Sequence, residues 1–195
     1  MIIIYAVLVY FIGSIPSGLI IGKTFFNTDV RQYGSKNIGA TNTYRVIGLK
    51  AALPVFLCDA LKGAAGVVLL SSYGPMYMIL GGILAMMGHN WSIFLGFKGG
   101  RGVATGLGVL IALSPLVALL CFLVWGIIVY FTKLVSLGSI VAAALVPVLM
   151  YVTGESYWFV GFGGLAALFV IVRHWDNIKR LLAGNELKVE RIKKD

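Results

Sequence analysis

The chain has 195 residues, 59% of them hydrophobic types and only 12% charged, with a mean hydropathy of +0.96. A water-soluble domain carries roughly 25% charged residues to clothe its surface, so the composition excludes an ordinary soluble domain, a disordered chain and a disulfide scaffold. The formal charge of +9 sits on a chain that must bury itself in lipid rather than on a basic soluble face, which excludes a nucleic-acid module.

A helix rises about 1.5 Å per residue and the hydrocarbon layer is about 30 Å thick, so each crossing needs roughly 20 apolar residues. The first apolar run, 1–21, has no Lys or Arg ahead of it, lacks the basic start of a secretory signal, and reads as an uncleaved first helix. A polar stretch, 23–50, is followed by a second apolar run, 51–72, closed by the turn-forming Ser71-Ser72-Tyr73-Gly74-Pro75. The third run, 76–97, ends at Lys98-Gly99-Gly100-Arg101-Gly102. Then come 103–132, 134–152 and 157–172, and finally a basic tail, 173–195. Cys58 and Cys121 lie inside apolar runs without metal-ligand spacing and are expected to be packing residues.

Segments 23–50, 97–102 and 173–195 hold 14 of the 16 Lys and Arg residues. The positive-inside rule puts such segments in the cytoplasm, which leaves the N-terminus outside and the C-terminus cytoplasmic. The chain must then cross an even number of times between Gly102 and Arg173, yet three apolar runs are evident there. Run 103–132 carries Ser114-Pro115 in its middle, and proline disfavours helix at the residue before it. Splitting there gives seven transmembrane helices, the fourth (103–113) only about 16 Å long. Five spans is the alternative. The expected fold is an all-α, polytopic integral membrane protein forming a single membrane-embedded domain over 1–195. Tyr151, Tyr157 and Trp158 fit an outer aromatic belt, Trp91 and Trp175 an inner one.

Each cytoplasmic segment combines basic groups with small hydrogen-bond donors. Gly34-Ser35-Lys36-Asn37-Ile38-Gly39-Ala40-Thr41-Asn42-Thr43-Tyr44-Arg45 is dense in hydroxyls, amides and glycines that can converge on anionic oxygens, with Arg45 available for bidentate phosphate contact. Lys98-Gly99-Gly100-Arg101-Gly102 runs straight into a helix start, a plausible phosphate cradle that is neither a Walker A sequence nor GxGxxG. His174-Trp175-Asp176-Asn177-Ile178-Lys179-Arg180 reads as an amphipathic surface helix, with Asn177 and Arg180 on one face. Asp59 and Lys62, three apart, can form an ion pair inside the second run, and His89-Asn90 an inter-helix hydrogen-bonding pair. The absence of HExxH, of a His/Cys cluster and of GxSxG leads to the expectation of no metal, no cofactor and no soluble-type catalytic triad.

Taken together these segments resemble the bacterial acyl-phosphate-dependent glycerol-3-phosphate acyltransferases, the PlsY family, nearly end to end. The resemblance rests on Gly13-Ser14-Ile15-Pro16-Ser17, on Gly34 to Asn42 with Arg45, and on Asp59-Ala60-Leu61-Lys62-Gly63. It continues with Gly88-His89-Asn90, Phe97 to Thr105, His174 with Asn177-Ile178-Lys179-Arg180-Leu181, and Gly184-Asn185-Glu186. Arg101 departs from the lysine the family often has there, keeping the charge but altering phosphate geometry. The resemblance implies transfer of a fatty acyl group from acyl phosphate to the 1-hydroxyl of glycerol 3-phosphate. The products are lysophosphatidic acid and inorganic phosphate, in the first committed step of membrane phospholipid synthesis. It further implies a bacterial inner membrane protein whose site faces the cytoplasm and which uses neither acyl-CoA nor acyl carrier protein. Ser35, Arg45 and Gly99 to Gly102 are expected to hold the acyl phosphate and the departing phosphate. Lys98, Arg101, Asn177, Arg180, Glu186 and His174 are expected on glycerol 3-phosphate, and Asn37, Thr41 and Asn42 also among the binding residues. Asp59, Lys62 and His89 support the site. His174, His89, Glu186 and a substrate phosphate all remain candidates for the general base. A membrane transporter of an organic phosphate is the rival reading; one-sided basic groups and the lack of a repeat argue against it.

Overall fold

Proline and glycine set most of the helix boundaries in the computed structural model, which describes residues 1–192 and contains no strand among them. Lys193 and Lys194, counted above in the basic tail, lie outside the described residues. Helix α1 (Ile2–Ser14) stops ahead of Pro16, and α2 (Ser17–Phe26) sets off at 47° to it. The first run is thus two helices, not the single helix expected over 1–21, and the second extends to Phe26. The polar stretch is also more ordered than its composition suggests, since it folds a short helix, α3 (Ala40–Val46), before α4 (Leu49–Leu70) begins. Then follow α5 (Pro75–Asn90), α6 (Val103–Leu113), α7 (Pro115–Thr132), α8 (Val135–Val152), α9 (Tyr157–Arg173) and α10 (Trp175–Leu182). Pro75 and Pro115 open their helices at the first position, where the missing N–H costs nothing. The break at Ser114-Pro115 is therefore present. Helices α7 and α8, and α4 and α5 with the short 3-10 turns that follow them (Leu49–Tyr73 and Pro75–Leu95), are each long and apolar enough to cross a membrane; α1 with α2, and α9 with α10 after a 61° bend, pass that test as pairs.

Helix α4 is the centre of the bundle, packed by α1, α5 and α6, while α8 lies between α7 and α9. In lipid the apolar effect does not drive helices together, so close backbone approach must do so. Gly63 of α4 lies against the Thr105 carbonyl of α6, and Gly108 of α6 against the Ala60 carbonyl of α4; Gly66 and Gly81 meet in the same way between α4 and α5. Any side chain at these positions would occupy the neighbouring backbone. Val67, Ile79, Met86, Val109, Leu113, Phe162 and Val170 fill the space between. Cys121 packs as expected, but Cys58 is exposed on the outer face of α4.

The α1–α2 break frees carbonyls that lipid cannot satisfy, at a cost of several kcal/mol each if left bare. Two polar side chains distant in sequence, one on α4 and one in the loop after α5, meet them. Ser92 Oγ donates to the Ser14 carbonyl at 2.5 Å, and Lys62 Nζ donates to the Ile15 carbonyl at 3.0 Å. Lys62 is in turn held by Asp59 Oδ1 at 2.7 Å.

Candidate active site

A cavity of about 420 Å³ is lined by residues of α3 to α10 and of the segments flanking α3 and α10. One end is polar, lined by Ser35, Arg45, Arg101, Ser136, His174, Asn177 and Glu186; the other is apolar, lined by Met86, Leu107, Leu110, Phe122, Val146 and Phe162 among others.

The segment before α3 is organised by one amide. Asn42 is buried; its Oδ1 accepts from the Ser35 N–H at 2.9 Å, and its Nδ2 donates to the Val30, Tyr33 and Asn37 carbonyls at 2.8, 3.2 and 2.9 Å. Asn37 Oδ1 accepts from the Gly39 N–H at 2.9 Å. With its amide thus committed to backbone, Asn42 shapes the loop, and Ser35 and Thr41 are the hydroxyls left lining the cavity.

The glycine loop is similarly divided. Gly99 and Gly100 donate their N–H groups to the Asn90 and His89 carbonyls, both at 3.0 Å, and a side chain on Gly100 would collide with the His89 ring. Arg173 Nη2 donates to the Gly100 carbonyl at 2.9 Å from the other side. These two glycines lock the loop onto α5, and His89 Nδ1 lies 3.7 Å from Asp59 Oδ1 beneath it. The loop's cavity-facing members are Arg101 and Gly102. Gly102 takes φ +81°, the left-handed region that favours glycine, and so turns the chain into α6. Val103 and Ala104, the first residues of α6, line the cavity, so the positive end of the helix dipole lies at the site. Lys98, expected in the site, is exposed and outside the cavity.

The third segment supplies the carboxylate. Glu186 Oε1 accepts from Asn177 Nδ2 at 2.6 Å and from Ser136 Oγ at 2.9 Å, and Oε2 accepts from Arg180 Nε at 2.7 Å. Asn177 Oδ1 and Arg180 Nη2 remain buried without a partner. Residues beyond α10 run back over the polar end as a strap. Arg45 donates from Nε and Nη2 to the Lys188 and Leu187 carbonyls at 2.9 and 2.8 Å, the Ile192 N–H donates to the Arg45 carbonyl, and the Val189 N–H to that of Lys133, both at 2.9 Å. His174 Nδ1 lies 2.8 Å from the Val170 carbonyl.

Positive charge dominates this end. Arg101 makes no hydrogen bond or ion pair among the described residues, and its guanidinium is pushed down to about 10, first by burial and then by Arg180, with Glu186 opposing. Burial also lowers Arg45, again against the pull of Glu186. Guanidinium groups gathered around one carboxylate leave an excess of charge-assisted donors for an anion.

The fold therefore brings Ser35, Asn37, Thr41, Arg45, Arg101, Gly102, His174, Asn177 and Glu186 to one cavity, with Arg180 bonded to Glu186 at its edge and Asp59 and His89 below. Lys62 faces the α1–α2 break instead. Two residues escaped sequence reading. Ser136 had no signal beyond being a lone hydroxyl in an apolar run. Arg173 was counted only as a basic residue, although its place at the end of α9, beside His174, is where a clamp on the loop would sit.

Comparison with known proteins gives the chain its family. The family model described as Glycerol-3-phosphate acyltransferase matches residues 3–184. A glycerol-3-phosphate acyltransferase of Fusobacterium nucleatum subsp. nucleatum is 46% identical over 94% of this chain and 96% of that protein. A glycerol-3-phosphate acyltransferase 2 of Moorella thermoacetica is 47% identical over 94% and 95%. Among solved structures, the crystal structure of PlsY (YgiH), an integral membrane glycerol 3-phosphate acyltransferase, superposes in its glycerol 3-phosphate form with a TM-score of 0.91 at 38% identity, covering 96% of this chain and 94% of that one. The lysophosphatidic acid form gives a TM-score of 0.88 at 37% identity. On a family match over residues 3–184 and relatives matched over more than nine-tenths of its length, this integral membrane chain belongs to the glycerol-3-phosphate acyltransferase family.

Proposed function

We propose that the chain transfers a fatty acyl group from an acyl phosphate to the 1-hydroxyl of glycerol 3-phosphate, releasing lysophosphatidic acid and inorganic phosphate. The observation that carries this reading is the continuity of one cavity from an arginine-rich polar end to an apolar end among helices. Two phosphate anions and an acyl chain find matching surroundings there. An acyl phosphate is a mixed anhydride with a good leaving group, so alignment and charge neutralisation supply most of what the reaction needs.

In this reading Arg101, Ser35, Arg45 and the first N–H groups of α6 hold the acyl phosphate, while Asn177, Arg180 and Glu186 orient glycerol 3-phosphate. The 1-hydroxyl oxygen attacks the acyl carbon, the bond from that carbon to the phosphate oxygen breaks, and phosphate leaves. With Nδ1–H donating to the Val170 carbonyl, His174 Nε2 carries the lone pair that takes the hydroxyl proton. His89, whose ring abuts Gly100, supports the loop. Basic groups at one end of the bundle support a cytoplasmic site and an outside N-terminus. Seven spans follow if α1 with α2 and α9 with α10 count once each and α6 counts as the short one.

The test is purified protein in lipid vesicles, given glycerol 3-phosphate with palmitoyl phosphate or with palmitoyl-CoA, measuring phosphate release and lipid product. Turnover with palmitoyl phosphate alone is expected. Turnover with palmitoyl-CoA would overturn the donor assignment, and turnover with neither by folded protein would overturn the reaction.

A further inference from the structure

Arg173 is a cation in an unfavourable place. It is the last residue of the apolar helix α9, no carboxylate pairs with it among the described residues, and its Nε is buried without a partner. It also stands close enough to Arg101 for the two like charges to repel. Charges at the edge of a membrane span are costly and mark function more often than packing. The hydrogen bonds of this side chain all go to the glycine loop: Nη2 donates to the Gly100 carbonyl at 2.9 Å and, at 3.5 Å, to that of Gly99.

The Gly100 carbonyl belongs to the peptide unit that also carries the Arg101 N–H. There is no cis peptide bond among the described residues, and in a trans unit the C=O and the N–H point in opposite directions. With the carbonyl drawn to Arg173, the Arg101 N–H is turned away from α9. The Gly100 N–H is fixed to the His89 carbonyl at 3.0 Å, so the loop is gripped on both sides of this point. Neither the Arg101 N–H nor the Gly102 N–H finds an acceptor among the described residues. The hydrogen-bond ladder of α6 opens with the Gly106 N–H donating to the Gly102 carbonyl at 2.6 Å, so the N–H groups of Val103, Ala104 and Thr105 precede it. Free backbone donors thus run from Arg101 into α6, and Arg101, Gly102, Val103 and Ala104 all line the cavity. Successive N–H groups of this kind form an anion-binding concavity.

Resting on the acyltransferase reading above, we infer that Arg173 is a positioning residue for the acyl phosphate. It holds the Gly100–Arg101 peptide so that the Arg101 N–H joins the row of donors on the departing phosphate, and it touches no substrate itself. Glycerol 3-phosphate, held by Asn177, Arg180 and Glu186, does not depend on it. A purely electrostatic role has a different signature. Both substrates are phosphate anions, so losing a positive field weakens both, whereas losing the orientation of one peptide weakens only the phosphate at the loop.

The experiment measures the KM for palmitoyl phosphate, the KM for glycerol 3-phosphate and the inhibition constant of inorganic phosphate against palmitoyl phosphate. The proteins are wild type, Arg173→Met and Arg173→Lys in lipid vesicles. A hydrogen bond to a charged group corresponds to roughly ten- to a hundredfold in binding. Arg173→Met is therefore expected to raise the KM for palmitoyl phosphate and the inhibition constant of phosphate at least about tenfold, with the KM for glycerol 3-phosphate unchanged. Arg173→Lys keeps a charged donor without the planar fork and should fall between. Parallel rises in both KM values, or no change in either, would overturn the positioning role. Should Arg173→Met fail to fold, Arg173→Lys decides: a rise confined to palmitoyl phosphate supports the proposal, and a rise in both or in neither refutes it. Wild-type protein inactive with palmitoyl phosphate would overturn the acyltransferase reading itself, a distinguishable result.

Discussion

Arg101 exposes the conflict between stability and function at this site. It is largely buried, has no hydrogen bond or ion pair among the described residues and lies among other guanidinium groups; burial first, and then those charges, push its pKa down to about 10. The group stays charged at neutral pH, so the folded chain carries an unfavourable charge that substrate phosphate would relieve. Each pKa unit corresponds to about 1.4 kcal/mol; with discount for solvent screening, the penalty is on the order of 1–3 kcal/mol. Arg101→Met keeps the volume and removes the charge. In a chain of this size about 1 kcal/mol moves the thermal midpoint by roughly 2–4 °C, so the variant in detergent without ligand should melt several degrees above wild type. The sign of the pH dependence follows. Below about 10 the guanidinium is protonated both folded and unfolded, so the penalty is constant. Above that value the unfolded chain binds more protons, wild-type stability rises, and the advantage of Arg101→Met shrinks. Inorganic phosphate should stabilise wild type much more than the variant, and acyl transfer should fall at least about a hundredfold. A variant that melts below wild type in ligand-free buffer, or that keeps its activity, would refute the argument that Arg101 is held against its own electrostatics for an anion.

Four further outcomes are expected. Lys62→Met strands the Asp59 carboxylate and leaves the Ile15 carbonyl with the Ser17 N–H alone, and should cost about 3–5 kcal/mol by unfolding in mixed micelles; adding Asp59→Asn should recover much of that loss, and an additive double variant would refute the pair. Gly63→Leu, aimed at the Thr105 carbonyl, should destabilise by about 3 kcal/mol or more. Gly126→Ala, with nothing within 4 Å, should be neutral or stabilising by up to about 1 kcal/mol in the same thermal assay. Arg45→Lys cannot reach the Leu187 and Lys188 carbonyls together, and should lower kcat/KM at least about tenfold with the protein still folded. Near-normal kinetics would detach the strap from catalysis.

Much of the site was legible because membrane proteins pay heavily for polar groups. In a chain this apolar, Arg45, Arg101, Asn177, Arg180 and Glu186 stand out, and their clustering in three segments already joins them across the sequence. Within those segments, residue type alone did not separate the groups that face a ligand from those that hold the loop. Asn42, Gly99 and Gly100 look like phosphate binders by composition, yet their hydrogen bonds go to backbone. Lys98 carries the right charge one loop position too far out.

The sequence by itself determined that the chain is a helical membrane protein, that its polar residues gather in three segments, and that proline breaks the helix at Ser114-Pro115, because lipid and proline impose local constraints. Only the tertiary structure decided that the first run breaks into two helices at Pro16 and what satisfies the freed carbonyls, since Lys62 and Ser92 reach them from positions distant in sequence. It also decided that the chain beyond α10 folds back to hold Arg45, and that Gly106 lines the cavity while Gly108 packs on a backbone. The same residue two positions apart meets such different surroundings because the direction each faces is set by neighbouring helices rather than by its own sequence.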